Sequence, residues 1–263
     1  MRALAHISDL HLGRGARWDA AAVALRDALL RSGVDHVVVT GDLTNRGRAA
    51  ELARFRAIFA PFDEGGRITV VPGNHDRIGD DAAASLAPTG RVAAEERPGL
   101  FLVRVDSTGP QNRWLVSGQG TLTRRDVARA AALLDEAPRG TLRCLLLHHH
   151  LRPLPEEGFG ERLSSWLRRP WAEELPLGGA LLRRLAGRCD LVLHGHRHRP
   201  AAQVLGAAGA PPLGVYNAGA SPELGRFRVF LHEGGRLVRR PIWLETGLAA
   251  VPRAVPAAVF DAA

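Results

Sequence analysis

Short apolar runs and stretches of helical periodicity alternate along the first two hundred residues. RALAHI (2–7), VDHVVVTGD (34–42) and RITVVPGN (67–74) have the length and β-branched content of buried strands. Between them, Val23, Leu25 and Leu29 within 18–31, and Leu52, Phe55 and Phe59 within 48–60, recur at helical spacing. This repeated strand–helix unit predicts an α/β protein with a mostly parallel sheet flanked by helices. Thr123 and Asp126 match a capping box opening a helix that runs to Ala137, and TLRCLLL (141–147) and CDLVLHG (189–195) predict two more strands. After residue 200 the pattern changes. PPLGVYNAG, GRFRVFLHEGG and RLVRRPIWLE read as antiparallel strands, with Gly234 and Gly235 as a hairpin turn. Residues 151–180 are rich in Pro, Gly and Trp, have little strand signal, and read as a long loop of the kind that is either functional or disordered.

Composition narrows the class only slightly. The 263 residues are 46% hydrophobic and 24% charged, which is ordinary for a soluble domain, and no run approaches a membrane span. The opening MRALAHISDLHLG has no leader-like apolar stretch, and Cys144 and Cys189 both sit in apolar runs. A reduced, cytoplasmic protein is the expectation. The net charge is +8, and all 35 basic residues are arginine. Such a surface favours anionic substrates, while nucleic acid is a possible partner that charge alone does not establish.

The strand ends change the picture most. The first ends in Ser8-Asp9-Leu10-His11, the second in Gly41-Asp42, the third in Gly73-Asn74-His75-Asp76. TLRCLLL ends in His148-His149-His150, and CDLVLHG in His194-Gly195-His196-Arg197-His198. Ligands of open α/β sheets bind beyond the carboxyl ends of the strands, so these groups are expected to converge. Carboxylates and imidazoles together are ligands for first-row divalent metals, and there are more of them than one ion requires. Two ions about 3.5–4 Å apart suit phosphoryl displacement. Alternation along a strand points His148 and His150 one way and His149 the other.

The series D-L-H, G-D-L-T-N-R-G, G-N-H-D, a strand-end histidine and G-H-R-H resembles the calcineurin-like metallophosphoesterase superfamily, and the HISDLHLG opening looks most like its class III cyclic-nucleotide phosphodiesterases. The resemblance implies a four-layer α/β/β/α sandwich of two mixed sheets, as one domain over 1–245 with a tail at 246–263. It implies a dinuclear site for Mn, Fe or Zn. Asp9, His11 and His198 would hold one ion, Asn74 and His196 the other, and Asp42 both. The family has His-x-Pro at the triple-histidine strand end. Setting Leu151 against that Pro selects His149 as the remaining ligand, with His148 as the fallback. His75 would serve the leaving group, oriented by Asp76, and Arg46 would bind phosphate. The implied activity is hydrolysis of a small anionic phosphodiester, such as a cyclic nucleotide, by a hydroxide shared between the ions. A nuclease or a broad phosphomonoesterase is the alternative. Trp166, Trp171, Arg162, Arg168 and Arg169 are expected to form either a substrate lid or a packed helix pair with solvated arginines. Tyr216-Asn217-Ala218-Gly219 resembles the family's late N-x-G turn, and His6 is expected to be a core histidine.

Overall fold

Strand β1 (Arg2–Ile7) is buried on both faces, and its alternating side chains enter two different cores. Ala3, Ala5 and Ile7 pack with Leu25 and Leu29 of α1 (Ala16–Ser32) and Phe55 and Phe59 of α2 (Ala49–Asp63). Leu4 points the other way, into a second layer shared with Leu102, Leu146 and Phe230. A strand buried on both faces needs a helix layer on one side and a second sheet on the other.

The computed structural model describes residues 1–113, 118–151, 175–207 and 209–247. Its first sheet runs β3 (Ile68–Val71), β2 (His36–Thr40), β1 and β10 (Arg226–Glu233), with β11 (Arg236–Leu237) and β12 (Ile242–Glu245) both on the far side of β10. Strands β1, β2 and β3 are parallel, and β10 is antiparallel to β1. The second sheet runs β4 (Val92–Arg97), β5 (Leu100–Val105), β6 (Leu142–Leu146), β7 (Leu191–His194), β9 (Ala210–Asn217) and β8 (Ala201–Ala207). Its central strands β5, β6, β7 and β9 are parallel. Helix α3 (Arg124–Asp135) and helix α4 (Gly178–Leu185) cover the outer face of this sheet through Leu133, Leu134, Leu181 and Leu185. The architecture is therefore the expected α/β/β/α sandwich of two mixed sheets.

Several elements depart from the sequence reading. That reading contains no β4, β5 or β8. Strand β4 alternates only weakly, and β8 is an Ala/Gly-rich edge strand of low intrinsic propensity. Strand β9 pairs parallel to β7 as well as antiparallel to β8. RLVRRPIWLE divides into β11 and β12, with Pro241 between them. Both capping-box bonds between Thr123 and Asp126 are present. Among the described residues, no helix is long and apolar enough to cross a membrane. The lid residues Arg162, Trp166, Arg168, Arg169 and Trp171, and the tail from 248 onward, lie outside the described residues.

Candidate metal centre

The carboxyl ends of β1, β2, β3, β6 and β7 meet at one edge of the sandwich, where the chain turns sharply just after each strand. Of the eight non-glycine residues with positive φ among the described residues, five are Asp9 (55°), His11 (45°), Asp42 (50°), His196 (80°) and His198 (52°). A left-handed backbone costs an L-residue about 1–2 kcal/mol, so this concentration is strain held at a site by its surroundings. The turns are also tightly packed. A Cβ on Gly195 would overlap Ser8 Oγ and Asp9 Oδ2, and one on Gly73 would overlap the Asp42 backbone and carboxylate. Asn217 supports the same edge from below, donating from Nδ2 to the Gly195 carbonyl at 2.7 Å and accepting from the Gly219 N–H.

Two groups of ligand atoms result. In the first, one donor atom each from Asp9, His11, Asp42 and His198 all lie within 4.8 Å of one another. The Nε2 atoms of His11 and His198 are 2.9 Å apart, and His198 Nε2 is 3.6 Å from Asp9 Oδ1. In the second, Asn74 Oδ1 is 3.0 Å from His148 Nε2 and 2.9 Å from His196 Nδ1, and the two imidazole nitrogens are 3.3 Å apart. Asp42 belongs to both groups. Its Oδ2 is 3.7 Å from His11 Nε2 and its Oδ1 is 3.4 Å from His148 Nε2.

The imidazole that faces Asn74 and Asp42 is that of His148, the fallback choice, and not that of His149. Strand β6 places Leu142, Cys144 and Leu146 between the sheets and Leu145 and Leu147 against the helices. His148 continues the first parity and faces Asp42; His149 continues the second. His149 Nδ1 bonds Ser107 Oγ at 2.8 Å, and the same hydroxyl receives the backbone N–H groups of His148 and His149. His150 stacks on His196 with ring centroids 5.6 Å apart. Ser107, which anchors this turn, carried no motif signal in the sequence.

The neighbours of His75 also differ from expectation. Its Nδ1–H donates to the Asn45 carbonyl at 2.8 Å, and its ring meets His11 edge-on at 4.7 Å. Asp76 does not orient it. That carboxylate accepts from Thr44 N (2.9 Å), Thr44 Oγ1 (2.6 Å), Gly73 N (2.8 Å) and Leu43 N (3.3 Å), tying the 41–47 turn to the 73–77 turn. Burial and the nearby Asp42 charge push the Asp76 carboxyl up to about 6. Arg46 is exposed on its turn, with its backbone N–H on Glu51 Oε2. His6 is a buried core histidine bonded to Thr40 Oγ1.

The electrostatics suit cations. Burial pushes His11 down to about 3 and holds His196 well below its usual value, leaving the neutral form that binds metal. Burial likewise disfavours protonation of His148, but the Asp42 and Asp9 carboxylates outweigh it and draw that imidazole up to about 9. Burial also raises Asp9. Two buried carboxylates among imidazole and amide donors make a site that divalent ions would neutralise. The donor set and its convergence fit two metal ions.

Comparison with known proteins agrees with this chemistry. The sequence profile of the family described as Calcineurin-like phosphoesterase matches residues 3–200. A cAMP/cGMP dual specificity phosphodiesterase of Mycobacterium tuberculosis (strain CDC 1551 / Oshkosh) is 33% identical over 170 residues, 58% of this chain and 50% of that protein. The chain thus spans about half the length of this curated relative. A dimetal phosphatase from Danio rerio superposes with a TM-score of 0.60 at 11% identity, covering 94% of this chain and 99% of the other. Purple acid phosphatase PPD1 from yellow lupin (Lupinus luteus) seeds gives 0.59 at 9% identity, covering 98% and 57%. At such identities these structures speak for the fold alone.

Proposed function

Because the chain belongs to the calcineurin-like phosphoesterase family, we propose that it is a metal-dependent phosphodiesterase acting on a small anionic diester, with a cyclic nucleotide as the leading substrate. The observation that carries this reading is the position of Asp42, whose two carboxylate oxygens face different ligand groups. A carboxylate so placed could serve both groups of metal ligands. The 33% identity to a cAMP/cGMP phosphodiesterase supports the diester over the monoester.

Asp9, His11, Asp42 and His198 would hold one ion, and Asp42, Asn74, His148 and His196 the other. When bound, such a pair lowers the pKa of a shared water and neutralises charge developing on the phosphoryl oxygens. The chain's own contribution is rigidity. Asp9 accepts the His196 N–H at 3.2 Å from both oxygens, and Asp42 Oδ1 accepts the His75 N–H at 2.9 Å, so the ligands are fixed by backbone donors before any ion arrives. His75 acts on the leaving oxygen. Its Nδ1–H is committed to the Asn45 carbonyl, which fixes the ring and leaves Nε2 for the substrate. Arg46, exposed on its turn, would bind the phosphate through its guanidinium. The buried, unpaired thiols Cys144 and Cys189 support a reducing, cytoplasmic setting.

The test is a substrate panel run on protein reconstituted separately with Mn, Fe and Zn: cyclic nucleotides, bis(p-nitrophenyl) phosphate, p-nitrophenyl phosphate and single-stranded DNA. Cyclic nucleotides should show the highest kcat/KM, and both chelation and Asp42→Asn should abolish it. Preference for the monoester or for DNA would replace the diester reading. Undiminished turnover after chelation would remove the metals from it.

A further inference from the structure

At the pole opposite the metal centre, the amino ends of β1, β2 and β3 meet the β4–β5 hairpin around a cavity of ≈ 300 Å³. Strand β1 separates the two poles by on the order of 20 Å, the span of six extended residues. Three guanidinium groups line the cavity: Arg2 at the start of β1, Arg67 before β3, and Arg97 at the end of β4. Asp35 is the one carboxylate among the lining residues. Its Oδ2 accepts the Ala3 N–H at 2.7 Å, and its Oδ1 lies 4.0 Å from Arg2. Glu95, just behind the wall, is shared by Arg97 and Arg104.

Arg97 pairs through Nη2 with Glu95 and Arg67 lies over the Phe62 ring, yet both keep donor capacity. Arg67 reaches the Val34 and Pro61 carbonyls only at 3.4 Å, the outer limit of hydrogen bonding. Arg97 Nε is buried with no hydrogen-bond partner. Burying a guanidinium N–H without a partner has a cost that a bound anion would remove. His36 and His232 complete the wall, both kept neutral by burial. A Cβ built on Gly66 meets nothing within 4 Å, so this side of the cavity stays open to a ligand.

We infer that this cavity is a second anion site, which binds a dianionic phosphate group, either inorganic phosphate or the terminal phosphate of a phosphomonoester. Three guanidinium groups, set against Asp35 and against the Glu95 carboxylate that Arg97 shares with Arg104, leave roughly one to two positive charges inside a concavity with low-dielectric walls. Planar guanidinium donors match phosphate oxygens in pairs. A phosphomonoester carries close to two negative charges near neutral pH and a diester only one, so the cavity favours the former. If the diesterase reading holds, the site recognises the class of product rather than the substrate. Anion binding itself does not depend on that reading.

The probe is inorganic phosphate, titrated calorimetrically into the metal-loaded protein, with 5′-AMP as a second arm. The wild type should bind two phosphates per chain, one at each pole. Chelated Asp42→Asn protein should keep one event, which tests the cavity without altering it. In the metal-loaded Arg67→Gln/Arg97→Gln variant the second event should weaken at least tenfold while turnover of bis(p-nitrophenyl) phosphate is unchanged. Binding of AMP at this site would assign it to phosphomonoesters; phosphate binding without AMP would confine it to the free ion. No phosphate binding to chelated Asp42→Asn protein, or a second event surviving the double substitution, overturns the assignment. Loss of diester turnover in the wild type would touch only the proposed function.

Discussion

His148 Nε2 lies 3.0 Å from Asn74 Oδ1, joining the end of β6 in one sheet to the turn after β3 in the other. The contact spans the interface between the sheets, so the second ligand group forms only when both sheets are in register. His148→Ala should therefore remove most of the metal at that group and nearly all activity. His149→Ala deletes a ring bonded to Ser107 and should leave metal stoichiometry intact. Metal content by inductively coupled plasma spectrometry, with kcat measured alongside, separates them. Metal loss in His149→Ala with retention in His148→Ala would reverse the assignment.

Two signals in the sequence disagree about which histidine faces the second group. Alternation along β6 assigns His148 the parity of Cys144 and Leu146, both of which lie between the sheets. That rule points to the residue whose ring faces Asn74 and Asp42. Setting Leu151 against the family's proline points to His149 instead, one residue out of step with that parity. Asp9, His11, Asp42, Asn74, His196 and His198 needed no such choice, since the motif pattern assigns each by its place within the motif even where GNHD and HGHRH hold several polar residues. Ser107 and Asn45 were not legible, because they act through a hydroxyl and a backbone carbonyl whose importance depends on loops brought together by the fold. The weakly alternating β4 and the Ala/Gly-rich β8 were likewise invisible, because pairing with β5 and β9 rather than intrinsic propensity makes them strands.

Gly195 is held between two functional groups. A methyl there would overlap Ser8 Oγ and Asp9 Oδ2, so Gly195→Ala must shift either the first ligand turn or the 195–198 turn. Ligand displacements near 1 Å cost on the order of 10²-fold in rate. The expected result is such a loss with weaker metal binding but a native circular-dichroism spectrum. A variant with unchanged kcat and metal affinity would mean the two turns yield more easily than their packing implies.

Acid sensitivity should come partly from His36. Burial, followed by the charges of Arg97 and Arg67, pushes it down to about 4, against about 6.5 for an unfolded histidine. Between those values the unfolded chain binds a proton that the native protein does not, so stability falls as the pH drops from 6.5 to 4. The slope from one such group is about 1.4 kcal/mol per pH unit. His36→Gln keeps a donor for Thr69 Oγ1, which accepts from His36 Nε2 at 2.8 Å, and removes the titration. Urea unfolding at several pH values between 4.5 and 6.5 should give the variant a shallower loss by that amount. Effects of metal release are common to both proteins and cancel in the difference. Parallel curves would show that His36 does not titrate differently on folding.

The leaving-group role of His75 is separable from metal binding. Its side chain bonds the Asn45 carbonyl and packs edge-on against His11, and it belongs to neither ligand group, so His75→Ala should retain both metals. General acid catalysis is worth roughly 10²–10⁴-fold, and its value depends on how badly the leaving oxygen needs a proton. A p-nitrophenolate departs readily without one; the alkoxide of a cyclic nucleotide does not. The cyclic nucleotide should accordingly lose kcat by orders of magnitude more than bis(p-nitrophenyl) phosphate does. Equal losses on the two substrates would falsify the acid role and leave His75 as a hydrogen-bond donor to the transition state. Loss of metal in the variant would instead make it a ligand. Asn45 offers an independent check, because it orients His75 through its carbonyl and not its side chain. Asn45→Ala should therefore preserve the discrimination between the two substrates, whereas a side-chain role for Asn45 would erase it.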